Sequence, residues 1–200
     1  MTTKKKKKLP IFIIIVILLL TAIALVFARA AYNFMLDLRH QWLLREHPLG
    51  YSYYVEMYAE EYGLNPFLVY AVIKVESDFK AGAVSNMGAR GLMQIMEDTF
   101  DWISRYRLFE RDMIFDDMFQ PHDNIRFGCY LLSYHLENFG DIDCSLAAYF
   151  AGDNTVLRWL GNPDFSSDGK TLDEIPDPDT QHYINKVNNA YETYIKLYAS

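Results

Sequence analysis

The sequence predicts a mainly α-helical domain preceded by one N-terminal transmembrane helix. Two observations carry that expectation. A run from Leu9 to Ala28 that is apolar apart from Thr21 follows five lysines at Lys4 to Lys8. After Pro48-Leu49-Gly50, apolar residues recur at helical rather than alternating spacing, and no segment reads as a long strand.

The apolar run is long enough to cross a hydrocarbon core of roughly 30 Å as a helix. By the positive-inside rule the lysines stay cytoplasmic and the chain beyond Ala31 faces outward. Ala28-Arg29-Ala30 also fits a signal-peptidase site, but the run exceeds the usual ~7–15 residues of a signal core, which favours a retained anchor. The expected organisation is a basic tail over 1–8, an anchor over 9–31, a helical stalk over 32–50 and a single domain over 51–200. Localisation follows: single-pass in the cytoplasmic membrane, with the domain outside.

Each later helix has a local reason. Tyr51 to Tyr62 places Tyr54, Met57, Tyr58 and Glu61 in register, with Gly63 suited to a C-terminal cap. Asn65-Pro66 starts a helix that carries Leu68, Val69, Val72, Ile73 and Val75 and ends near Glu76-Ser77. Small residues from Ala81 to Gly91 form a loop. Glu97 and Asp98 suit the first turn of a helix reaching Arg105. Arg107 to Met118 reads as loop with one helical turn, and Asp123 to Phe139 as helix. Ser145 to Ala151 forms a short helix ended by Gly152, Asn154 starts another that stops at Gly161, and Asn162 to Pro178 is a polar loop. The last helix, Thr180 to Tyr198, puts Tyr183, Val187, Tyr191, Tyr194 and Tyr198 on one stripe.

The formal net charge is −7. Six of the 19 basic residues precede residue 32, and all 26 acidic residues follow it, so the outer portion carries 13 basic against 26 acidic side chains, a net −13. That balance disfavours nucleic acid as a partner and is neutral towards a glycan. Cys129 and Cys144 could pair in an oxidising compartment or remain as two buried thiols; their spacing leaves both open. His40, His47, His122, His135 and His182 show no metal-ligand spacing and are expected at the surface or as caps. Residues 164–175 begin like a calcium loop, but its twelfth position is Ile175. No metal or cofactor is expected.

Five pieces occur in a fixed order: Glu76-Ser77; Gly88-Ala89-Arg90-Gly91-Leu92-Met93-Gln94 with Thr99; Asn124-Ile125 with Gly128 and Tyr130-Leu131; Leu146 to Gly152; and Ile175-Pro176 with Thr180 and Tyr183. Together they resemble the catalytic core of the soluble lytic transglycosylases, with a lysozyme-like fold, over roughly Tyr51 to Tyr198. The resemblance implies cleavage of the β-1,4 bond between N-acetylmuramic acid and N-acetylglucosamine in peptidoglycan, without water, leaving 1,6-anhydromuramic ends.

Glu76 is then the single catalytic acid and later base, its pKa raised by apolar surroundings. The resemblance makes Ser77, Met93, Gln94, Tyr149 and Tyr183 substrate-binding, with Tyr149 orienting the acid; Tyr183 could equally belong to the core. Gly88 and Gly91 would let the backbone approach a sugar closely. Phe150 stands where the family usually has asparagine, Glu97 where proline is common, and Asp179 where glutamate is usual. Two other readings stay open: a hydrolytic muramidase using a second carboxylate such as Glu97 or Asp98, and a catalytically weak component that binds glycan or assembles the envelope. Helix N-terminal charge is the simpler role for that acidic pair.

Overall fold

The computed structural model describes residues 10–199, and the lysine run Lys4 to Lys8 lies outside them. Helix α1, Ile11–Glu46, constitutes one unit and the chain from His47 onward a second. At 36 residues α1 is about 54 Å long. It buries none of its residues and is long and apolar enough to cross a membrane. The apolar segment and the expected stalk form one continuous helix.

The second unit contains α2 (Ser52–Glu61), α3 (Pro66–Ser77), α4 (Glu97–Tyr106), a 3-10 turn (Phe115–Phe119), α5 (Pro121–Phe139), α6 (Ile142–Ala151), α7 (Asp153–Leu160) and α8 (Pro178–Tyr198). Among the described residues the only β pairings are isolated bridges of Arg90 with Val84 and with Ile95. The mainly α expectation therefore holds.

Central to this unit is α3, whose residues Leu68 to Ile73 are all buried. It packs chiefly on α8, while α5 packs on α6 and α2, and α6 touches α7 and α8. Asn65 caps α3 by accepting the Phe67 N–H at 2.9 Å, and Pro66 occupies the first turn.

Three helices begin two or three residues earlier than the sequence suggests, because prolines and acidic caps open them. Pro121 starts α5. The Asp141 carboxylate accepts the Cys144 N–H at 2.8 Å ahead of α6. Asp177 accepts the Thr180 N–H at 2.9 Å ahead of α8, with Pro178 in its first turn. Cys129 and Cys144 are both buried and free. Burial pushes the Cys144 thiol up to about 12 and holds Cys129 higher still, so both are inert as nucleophiles.

Candidate active site

Glu76 sits in the last turn of α3, and two consecutive left-handed residues follow it: Asp78 at φ 50° and Phe79 at φ 60°. Neither is glycine, so the exit from α3 is held by its surroundings rather than by intrinsic preference. Lys74 contributes by bonding the Asp78 carboxylate at 2.6 Å.

The Gly-rich segment folds back under Glu76 as a closed turn. Arg90 and Ile95 exchange both backbone hydrogen bonds, at 2.9 and 3.0 Å. Gln94 takes a left-handed conformation at φ 51°, and its side-chain amide donates to the Gly91 carbonyl at 2.7 Å and towards Ala83 at 3.3 Å. The turn is sewn to three helices. The Ser77 hydroxyl reaches the Leu92 carbonyl at 2.8 Å and the Ile73 carbonyl at 3.1 Å, the Met93 N–H donates to Asn124 Oδ1 at 2.7 Å, and the Tyr149 hydroxyl donates to the Met93 carbonyl at 2.7 Å.

Asn124, fully buried on α5, also donates to the carbonyls of Arg90 at 2.9 Å and Met118 at 2.8 Å. Its side chain thus spends two hydrogen bonds on a turn more than 30 residues upstream and a third on the 3-10 turn just before α5. The motif includes Asn124, but nothing in its spacing points to this pairing.

Ser77 and Met93, expected to bind substrate, are both buried, and their polar groups are spent on holding the turn. The Met93 side chain fills the space a Cβ at Gly128 would occupy, which is why α5 has glycine there. Gly91 also differs from expectation. Its close approach is to protein, since a Cβ would fall 2.1 Å from the Met118 carbonyl and 2.2 Å from the Asn124 amide. Gly88 has open space around it, so only its φ of +87° calls for glycine.

Glu76, Tyr149 and Tyr183 do come together. Burial raises the Glu76 pKa from 4.5 to about 7, and the Tyr183 hydroxyl partly opposes that rise. The two groups face each other without reaching standard hydrogen-bond geometry. Glu76 retains some access to solvent, as a proton donor to an external substrate requires. Burial and the Glu76 charge hold both tyrosine hydroxyls far above their usual value, so both are neutral donors. The Tyr149 hydroxyl gives its own hydrogen bond to Met93, so charge is its only interaction with Glu76.

Tyr183, 5 % exposed, belongs to the core and also faces the acid. Phe150 covers it, with ring centroids 4.7 Å apart and planes 23° from parallel, and is itself 48 % exposed. Where a polar contact was expected, the chain places an aromatic lid over Tyr183.

A groove of about 710 Å³ runs alongside, lined by Tyr149, Phe150, Met96, Trp102, Tyr134 and His135 among others. Glu76 is not part of its lining; Tyr149 and Phe150 connect the two. His135 contradicts the surface expectation. It is 3 % exposed, lies edge-on to Tyr149 at 6.3 Å, and has its Nδ1 3.0 Å from the Asp153 carboxylate without hydrogen-bond geometry. Desolvation lowers its pKa despite that carboxylate, favouring the neutral ring. Glu97 and Asp98 are exposed in the first turn of α4. Among the described residues no cluster of three acidic, histidine or cysteine side chains is arranged to hold a metal. Asp168 closes its own turn by accepting the N–H groups of Lys170 and Thr171.

The transglycosylase SLT domain family matches residues 53–171. The soluble lytic murein transglycosylase of Escherichia coli K12 is 29 % identical over 153 residues, covering 76 % of this chain and 24 % of that protein. Membrane-bound lytic murein transglycosylase C of Serratia proteamaculans is 29 % identical over 161 residues, 68 % of this chain and 44 % of that one. Among solved structures, an inactive glutamate-to-glutamine mutant of the lytic transglycosylase Slt from Pseudomonas aeruginosa superposes with a TM-score of 0.67 at 28 % identity, covering 76 % of this chain and 25 % of that one. The chain thus spans about a quarter of the soluble relatives it matches. With the helical fold and the ordered pieces around Glu76 already in place, this match shows that the chain belongs to the transglycosylase SLT domain family.

Proposed function

We propose that the chain is a peptidoglycan lytic transglycosylase that cleaves the β-1,4 bond between N-acetylmuramic acid and N-acetylglucosamine and forms 1,6-anhydromuramic ends. The observation that carries this reading is the environment of Glu76. Its pKa of about 7 lets one carboxyl be protonated when the bond breaks and ionised afterwards. The groups that set this value are burial and Tyr183, with no second carboxylate contributing among the described residues. A hydrolytic mechanism would place a second carboxylate about 5–9.5 Å from the first.

In the reaction, the Glu76 acid gives its proton to the glycosidic oxygen as the bond to C1 breaks. The resulting carboxylate takes the proton of the muramic acid C6 hydroxyl as that oxygen bonds to C1. Glu76 ends as it began, and no water is consumed. The neutral Tyr149 and Tyr183 keep anionic charge away from the acid, and the turn fixes its position.

We infer further that α1 anchors the protein in the cytoplasmic membrane in a single pass. The division is then a basic tail over 1–8, an anchor over 9–31, a stalk over 32–50 and an extracytoplasmic domain over 51–200. Membrane-bound relatives and the apolar helix support the anchoring. The reaction is tested by digesting peptidoglycan in isotopically heavy water: lytic cleavage leaves the new ends unlabelled, whereas hydrolysis labels them.

A further inference from the structure

At the far side of the groove, Arg107 lies over two aromatic rings that also line it. Its guanidinium carbon is 4.7 Å from the Trp102 ring centre and 5.4 Å from that of Tyr134. Those rings meet edge to face at 4.9 Å. From there aromatic contacts continue through His135, 5.6 Å from Tyr134, to Tyr149 at 6.3 Å beside the acid.

The molecule shows elsewhere what such a seat is for. Arg90 is held over two rings, Phe115 at 4.0 Å and Phe119 at 5.1 Å, and its edge binds the Asp116 carboxylate. A guanidinium gripped by its faces keeps its in-plane N–H donors free for a carboxylate. Arg90, Arg105 and Arg126 each have such a partner in Asp116, Asp101 and Glu110. Arg107 is exposed, and among the described residues it has no carboxylate partner.

We propose that Arg107, seated on Trp102 and Tyr134, binds a carboxylate carried by the muramic acid substituent of the glycan lying in the groove. The inference rests on the groove being the glycan site. The carboxylate belongs either to the stem peptide or, on stripped strands, to the lactyl group. Trp102 and Tyr134 hold the arginine and offer their remaining faces to the sugar. The site recognises what the strand carries, while Glu76 performs the chemistry.

The test measures half-saturation of the full-length protein in detergent on sedimentable peptidoglycan of three kinds: stems intact, stem carboxylates amidated with carbodiimide and ammonia, and stems removed by amidase. The ratio of amidated to intact half-saturation falls about three- to tenfold in Arg107→Gln relative to wild type. It stays within about twofold in Arg111→Gln, which removes another exposed arginine of the same stretch. If stripped strands bind like intact ones, the freed lactyl carboxylate takes the place of the stem carboxylates; if they bind like amidated ones, only the stem is the ligand. An unchanged ratio in Arg107→Gln, or an equal fall in Arg111→Gln, overturns the proposal. Carboxylate-dependent binding without product release would instead overturn the proposed reaction and leave the Arg107 site standing.

Discussion

The Tyr149 hydroxyl and the Met93 carbonyl, 56 positions apart in sequence, meet at 2.7 Å and tie α6 to the turn beneath Glu76. Met93 is held at its other pole as well, its N–H given to Asn124 at 2.7 Å. One buried residue of the turn is thus clamped from α5 and α6 together.

Asn124→Ala removes that clamp, leaves the buried Met93 N–H without its acceptor and takes one donor from the Arg90 and Met118 carbonyls, of which Arg90 still accepts from Ile95. The expected cost is about 3 kcal/mol of stability, with a fall in kcat larger than any change in KM because the turn positions the acid. Chemical denaturation and steady-state kinetics read the two effects separately.

Glu76→Gln is expected to stabilise the fold while removing turnover. Folding raises the Glu76 pKa, so the folded state holds that proton more tightly than the unfolded chain does. The resulting penalty is full above about pH 7, shrinks as pH falls, and is gone below about 4.5. The variant therefore gains up to about 3 kcal/mol at pH 8 and nothing at pH 4, as denaturant midpoints at the two pH values will show.

The acid must be protonated to start the reaction, so kcat/KM falls as pH rises through about 7. Phe150 shields Tyr183, and with it the acid, from solvent. Phe150→Ala admits water, lowers the Glu76 pKa, and moves that descending limb to lower pH. A limb that stays in place in the variant's pH–rate profile means Phe150 has no part in drying the site.

Gly91→Ala brings a Cβ into the Met118 carbonyl and the Asn124 amide at a φ of +78°. The combined strain and clash cost about 2–4 kcal/mol, visible as a lowered melting temperature. Gly88→Ala meets no atom within 4 Å and costs less, leaving mainly the penalty of its positive φ.

Much of this fold was legible because it is local. Periodicity, caps and terminal glycines located the helices of the second unit, and Asn65-Pro66 marked the start of α3 because its cap is two residues away. Starts were misplaced where Pro121 or Pro178 read as loop residues but open helices. At the site, the ordered motif led to Glu76, Tyr149 and Tyr183, yet a motif does not reveal which members face outward. Ser77 and Met93 are spent on holding the turn, which depends on contacts to Leu92, Asn124 and Tyr149 that only the fold brings close. His135 gave no signal, because its partner Asp153 lies on another helix. Phe150 was visible as a departure, but its stacking on Tyr183 was not.

The most direct measurement of the central claim is mass spectrometry of muropeptides released from purified peptidoglycan by the full-length protein and by Glu76→Gln. The account predicts products one water lighter than hydrolysis would give, released by wild type and absent with the folded variant. Hydrated products, or release that persists in Glu76→Gln, would contradict it.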